Sequence, residues 1–243
     1  ALLCLTYISP AAAAHQYFPA GAFVPISKNV RSTAAHSTTS DTPKVPSAPP
    51  PVPTIPYVSS YHELKIPSSH SGMPTQSISV EDLTPRISGL IQENGMVSGH
   101  VTIISRHTTT AVTINELESR LARDIATWLL RLAPADERSH PSVATSGIRY
   151  EHNDISQRPE SAEEAQRCRD NGWDVDSADS LQKWRAQEPI NAHSHLLSMI
   201  LGSSESIPVM GGKMVIGQWQ SVLLVDLDGP RERTVGVQLT GFR

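Results

Sequence analysis

Apolar and polar residues alternate from Tyr57 to Ile66, with Val58, His62, Leu64 and Ile66 on one parity, and this pattern predicts a first strand. Ser79-Val80-Glu81-Asp82 then offers an N-cap and early acids. Leu83, Ile87, Leu90 and Ile91 form a helical stripe closed by Asn94-Gly95, and Pro85 moves the expected start to Thr84. Gly99–Ser105 and Thr110–Asn115 are β-branched and predict two strands around a central His-Thr-Thr-Thr string. Leu117, Leu121, Ile125, Trp128, Leu129 and Leu132 give the clearest amphipathic helix in the chain, and Pro134 ends it.

Residues 153–187 change character: polar and charged residues dominate, and the apolar ones form no sustained stripe. They predict a surface insertion with a short helix near Ala162–Arg169. Pro189–Leu201 predicts a helix stopped by Gly202. Beyond it, Ser206–Met210, Lys213–Ile216, Gln218–Asp228 and Arg233–Phe242 read as strands, with turns at Gly211-Gly212 and Asp228-Gly229-Pro230. Strands and helices interleave without βαβ regularity, so the expected class is α+β.

Composition separates the front of the chain from the rest. Residues 1–60 hold ten of the 19 prolines and carry a net charge of +2, which leaves −6 on the remainder. Such a segment buries too little apolar surface to offset its ordering entropy, so residues 1–56 are expected to stand apart from a domain at 57–243. Ala1–Ala14 has the apolar character of a secretory signal. The basic, Ser/Thr-rich stretch after Ala22-Phe23-Val24-Pro25 fits a transit peptide, and Pro43–Pro56 a semi-extended linker. Together they resemble the bipartite plastid leaders of algae with complex plastids, with a cytoplasmic location as the alternative. Position 1 is not Met, so the chain is expected to begin inside a longer leader. No apolar run nears 18 residues, which excludes a membrane-spanning helix. Cys4 and Cys168 cannot make a disulfide framework or a CxxC zinc site, and the mild net acidity argues against non-specific nucleic-acid binding.

Five strings carry candidate chemistry. His107-Thr108-Thr109-Thr110 sets an imidazole beside hydroxyls and turn amides, suited to metal, proton or anion, unless the ring simply bonds the backbone. In Asn191-Ala192-His193-Ser194-His195 the two histidines point about 200° apart on a helix, so at most one faces a pocket. Tyr150-x-His152 precedes the insertion. Glu116 follows Ile114-Asn115 where a strand yields to a helix; it is either catalytic or a first-turn acid. Gly202-Ser203-Ser204-Glu205-Ser206 is a polar turn able to hold phosphate.

These strings occur in order with Glu188-Pro-Ile-Asn-Ala, Leu201-Gly-Ser-Ser-Glu-Ser, Gly217-Gln-Trp-Gln-Ser221 and Asp228-Gly-Pro-Arg231. The set resembles the YjbQ family, also called the UPF0047 or secondary thiamine-phosphate synthase family, over roughly residues 57–243. The resemblance implies an α+β fold with a largely antiparallel sheet curled into a sandwich or barrel and two to three packed helices. It implies a homotrimer with a small histidine-rich site for a phosphorylated molecule. In that reading His107, Glu116 and Asn191 are catalytic, and Thr108, Thr109, Ser203, Ser204, Trp219 and Gln220 hold ligand or phosphate. His107, His152 and His195 hold a divalent metal, Zn or Mg; three imidazoles favour a transition ion, carboxylates and water favour Mg²⁺.

The implied reaction joins a pyrimidine diphosphate to a thiazole phosphate with release of pyrophosphate. The alternatives are a trimeric metal- or anion-binding module without turnover, or a metal-assisted hydrolase. Two departures from the family pattern stand out: Gln218 replaces the usual Thr before Trp219-Gln220, and Pro189-Ile190 replaces Gly-Asp before Asn191.

Overall fold

The computed structural model describes residues 55–68, 78–136, 138 and 147–243. The expectations for the leader and the organellar address, and for the proline-rich linker up to residue 54, lie outside this set. Within it, the order is β1 (Tyr57–Pro67), β2 (Ser79–Asp82), α1 (Thr84–Glu93), β3 (Ser98–Ser105), β4 (Thr110–Glu116) and α2 (Ser119–Leu132). Two short 3-10 turns, Glu151–Asn153 and Ile155–Gln157, lead to α3 (Ala162–Asp170), α4 (Ala178–Gln187) and α5 (Ala192–Leu201). The chain closes with β5 (Ser204–Met210), β6 (Lys213–Met214), β7 (Gln220–Asp226) and β8 (Glu232–Phe242).

All strand pairs are antiparallel and fall into two sheets, β1-β8-β3-β5-β6 and β2-β7-β4. The sheets face each other across a core in which Val101, Ile103, Val235 and Val237 of the larger meet Val112, Val222 and Leu224 of the smaller, with Ile87 and Ile91 of α1. The outer face of the smaller sheet is covered in turn. Ala111, Val225 and Leu227 pack there with Ala126 and Leu129 of α2 and Leu197 of α5. Strand β7 is therefore buried on both faces, which explains why Val222–Leu227 is a continuous apolar run rather than an alternation. The fold is the α+β sandwich expected, with α1, α2 and α5 on its cores.

Local chemistry accounts for the turns. Gly211 and Gly212 both sit at positive φ, 58° and 73°, the geometry of a two-residue hairpin turn, and they join β5 to β6. Gly99 and Gly241 face each other across β3 and β8; a Cβ on Gly99 would stand 2.2 Å from the Thr240 carbonyl oxygen, so only glycine permits this strand approach.

Three readings change. Ser79–Asp82 is not a helix cap but strand β2, paired with β7, because Val80 completes the sheet opposite Val225. The helix begins after it, with Asp82 Oδ1 accepting from the Thr84 N–H at 2.9 Å and Pro85 placed in the first turn, where it forfeits no hydrogen bond. On α2 the predicted stripe is only partly used: Leu129 is buried, whereas Leu117, Trp128 and Leu132 are exposed. The insertion holds a second helix, α4, whose Trp184 is buried.

Candidate functional site

The turn between β3 and β4 carries His107, and the strand pairing holds it in place. The Ser105 N–H donates to the Ser203 carbonyl (2.8 Å) and the Arg106 N–H to the Thr234 carbonyl (3.1 Å). The Thr234 N–H donates to His107 Nε2 at 2.8 Å, so this nitrogen is an acceptor and the ring proton sits on Nδ1 in the neutral form. Burial, with Arg233 next, pushes the His107 pKa below 6.5, while Asp226 pulls the other way.

Opposite stands α5. Ser194 Oγ donates to the Leu227 carbonyl (2.6 Å) and Ser198 Oγ to the Thr110 carbonyl (2.7 Å), which pins the helix to the smaller sheet. Asn191 begins the helix, and its Nδ2 donates to Asp228 Oδ2 at 2.7 Å. His193 is buried on the inner face, with Ser194 Oγ 3.4 Å from its Nε2, and it is His195 that lines the cleft. The His195 ring meets the His152 ring edge-on, centroids 4.8 Å apart. Both pKa values lie below 6.5, chiefly through burial. Asp228, Glu188 and the Thr108 backbone partly offset this at His195, as Glu164 and the Asn191 side chain do at His152; Arg158 lowers both.

A cavity of about 490 Å³ opens between these elements, lined by Ser105, Arg106, His107, Thr108, His195, Ser198, Met199, Gly202 and Ser203. It continues past Arg106, His107, Thr108 and His195 into a pocket of about 280 Å³ that adds Thr109, Asn191, Asp228, Arg231 and Arg233. Three guanidinium groups thus face one lining carboxylate, and that carboxylate is engaged: Asp228 accepts from Asn191 and pairs with Arg231 at 3.0 Å. Arg106 pairs with Glu63 at the rim, and Arg233 is held by buried Asp226.

The expected site residues divide into two groups. His107, Thr108, Thr109, Asn191, His195 and Ser203 gather at this cleft, with His152 against His195. Ser204 is exposed on β5 and does not line it. Glu116, Trp219 and Gln220 lie elsewhere in the chain: Glu116 pairs with Gln220 at the end of β4 and β7 remote from Thr110 and Asp226, about 20 Å along the strands. Trp219 beside them is largely exposed, and Gln220 Oε1 accepts from the Gly217 N–H.

The geometry around His107 gives a three-histidine metal centre no support. His107 Nε2 is committed to the Thr234 N–H, and among the described residues no group of three His, Cys, Asp or Glu is arranged to hold an ion. Arg106, Asp228, Arg231 and Arg233 were not among the expected ligands; the Arg106-His107 and Asp228-Gly-Pro-Arg231 strings contained the signal, which only their meeting across β4, β7 and β8 makes legible.

The sequence model of the family described as UPF0047 protein YjbQ-like matches residues 70–242. The chain belongs to the YjbQ family. A UPF0047 protein of Methanothermobacter thermautotrophicus is 32% identical over 167 residues, 69% of this chain and 86% of the relative. One from Archaeoglobus fulgidus is 29% identical over 161 residues, 66% of this chain and 90% of the relative. Among solved structures, a YbjQ-like protein of unknown function from Sulfolobus solfataricus P2 is 25% identical with a TM-score of 0.50, covering 76% of this chain and 99% of that one. No helix among the described residues is long and apolar enough to cross a membrane.

Proposed function

We propose that this YjbQ-family chain binds a small phosphorylated molecule in the cleft between the Arg106–Thr109 turn and α5, and that His195 exchanges a proton with it. The observation that supports this is the convergence of Arg106, Arg231 and His195 on a cavity whose lining carboxylate is already paired. Planar guanidinium groups suit phosphate oxygens, and the Thr108 and Ser203 hydroxyls add donors.

The protonation state of His195 is part of the reading. With its pKa below 6.5 the ring is neutral near pH 7 and stands ready to accept a proton. A bound dianion favours the charged imidazolium and raises that pKa, so binding takes up a proton and tightens as the solution is acidified. Sulfate, a tetrahedral dianion that keeps its charge over this range, is the clean probe. Calorimetry is expected to show tighter binding at about pH 5.5 than at about pH 7.5, with proton uptake. Arg231→Gln should weaken binding about tenfold, and His195→Gln should flatten the pH response. Affinity indifferent to pH and to Arg231 would sink the reading.

The resemblance narrows the ligand class to a pyrimidine diphosphate and a thiazole phosphate. In their joining, the bond between the pyrimidine methylene carbon and the diphosphate oxygen breaks and pyrophosphate leaves with the electron pair. The lone pair of the thiazole nitrogen forms the new C–N bond. The cleft's guanidinium groups suit the departing pyrophosphate, and no base is needed for that step. Formation of thiamine phosphate by the full chain, lost in Arg231→Gln, is the expected result. Anion binding without product would restrict the chain to binding. Glu116, Trp219 and Gln220 reach such a ligand only from a neighbouring copy in the homotrimer that the resemblance implies, and the light-scattering mass of the full chain checks that assembly.

A further inference from the structure

The insertion builds a second cavity, separate from the cleft and set behind His152. It measures about 260 Å³ and is lined by His152, Arg158, Glu164, Arg167, Cys168 and Trp184, with Pro159. We propose that this pocket is a second anion subsite, which takes a further phosphoryl group of the ligand whose first group lies in the His107–His195 cleft. The proposal rests on the reading above and extends it, from one phosphoryl group to a diphosphate or longer chain of phosphates.

Position is the first argument. The His152 ring stands edge-on to His195 at 4.8 Å, so this pair of imidazoles is the partition between the two cavities. A ligand lying across it touches both. The Asn191 side chain raises the His152 pKa slightly from close by, while its Nδ2 holds Asp228 at the floor of the cleft.

Charge is the second argument. Arg158 is fixed from three sides: its guanidinium lies 5.5 Å from the Trp184 ring centroid, it pairs with Glu188 at 3.0 Å, and its carbonyl accepts from Arg185 Nε at 2.9 Å. Such a preset guanidinium loses little entropy on binding an anion. Arg167, on α3, lines the same pocket, and its guanidinium makes no ion pair or hydrogen bond among the described residues. The one lining carboxylate, Glu164, accepts from the Glu160 N–H at 2.7 Å and faces both Arg158 and Arg167. The pocket therefore sets two guanidinium groups, one of them pinned, against one lining carboxylate.

Arg167 is the residue to change, since it is exposed on α3. The probes are inorganic phosphate, which fills one subsite, and tripolyphosphate, which is long enough to engage two. For the full chain, calorimetry is expected to give clearly tighter binding of tripolyphosphate than of phosphate. Arg167→Gln should weaken tripolyphosphate about tenfold, leave phosphate unchanged, and be rescued in part by Arg167→Lys. Arg231→Gln, in the cleft, should weaken both.

Cys168 gives an independent readout from inside the pocket, because it lines it as a half-buried free thiol. In a Cys4→Ser chain, tripolyphosphate should slow its alkylation by iodoacetamide several-fold, whereas phosphate at equal saturation should not. Equal affinity for the two probes, or tripolyphosphate binding untouched by Arg167→Gln, overturns the second subsite and leaves the cleft standing. Absence of phosphate binding to the wild-type chain overturns the cleft reading instead; protection of Cys168 by tripolyphosphate then still supports the insertion pocket as an anion site.

Discussion

Asp226→Ala is expected to destabilise the domain by about 3–5 kcal/mol, which corresponds to roughly 10 °C in unfolding temperature. Asp226 is fully buried at the end of β7, and Arg233, 2% exposed, stands at the start of β8. Arg233 donates to both carboxylate oxygens, through Nε at 2.8 Å and through Nη2, which also donates to the Asp228 carbonyl at 2.9 Å. Ser68 Oγ and the Asp228 N–H donate to the same carboxylate. The pair thus clamps the smaller sheet to the larger at the end where His107 sits.

Removing the carboxylate leaves a buried, unpaired guanidinium, and that penalty rather than the lost attraction sets the size of the effect. The double variant Asp226→Leu with Arg233→Met should regain most of the stability. It should not regain sulfate binding, since Arg233 lines the inner pocket and Asp228 loses its brace. Urea unfolding of the full chains decides it: a single-variant cost below about 1 kcal/mol would show that the pair is solvated and the clamp unimportant.

That clamp also marks where the sequence stops being readable. Strands β1, β3, β4, β7 and β8 announce themselves through alternation, β-branched content or a continuous apolar run, and the Gly211-Gly212 turn is set by backbone chemistry that needs no partner. The β2 segment was misleading because Ser-Val-Glu-Asp satisfies a helix cap as well as an edge strand, and only the edge of β7 left open by β4 decides between them. Helix α4 left no stripe to find, since one tryptophan supplies most of its buried surface.

At the site, helix geometry allowed only one of His193 and His195 to face a pocket, and the family resemblance selected His195. The family strings brought His107, Asn191, His195 and Ser203 to one cleft. They also suggested Glu116, Trp219 and Gln220, which the antiparallel pairing carries to the opposite end of β4 and β7. Order along the chain fixes which residues recur together; distance within one chain follows from register, which no single string encodes.

Asp136→Ala is expected to cost about 3–5 kcal/mol as well, and to disable the His152 side of the site. The Asp136 carboxylate is fully buried just beyond α2 and accepts, among the described residues, from the Arg138 N–H at 2.9 Å, its Nε and Nη2 at 2.8 Å, the Tyr150 N–H at 3.0 Å and Asn153 Nδ2 at 3.0 Å. Asn153 in turn accepts from the Ala192 N–H at 3.0 Å, at the start of α5, and Tyr150 donates its hydroxyl proton to the Pro134 carbonyl at 2.8 Å. One carboxylate therefore connects the end of α2, the turn bearing His152 and the helix bearing His195.

The Arg138 guanidinium and these further donors hold the Asp136 pKa far below its ordinary 3.8. The sign follows directly. The unfolded chain binds the proton first, so the stabilisation is complete above 3.8 and is lost as pH falls from there toward the depressed folded value. Urea midpoints should therefore show the gap between wild type and Asp136→Asn at its widest near neutrality and narrowing below 3.8. Because the carboxylate positions His152 without facing the cleft, the same variant at permissive temperature should lose the preference for tripolyphosphate over phosphate while still binding sulfate. A gap that stays constant with pH would mean that the charge of Asp136 contributes nothing beyond its shape, and the turn would then have to be held by Asn153 and Tyr150 alone.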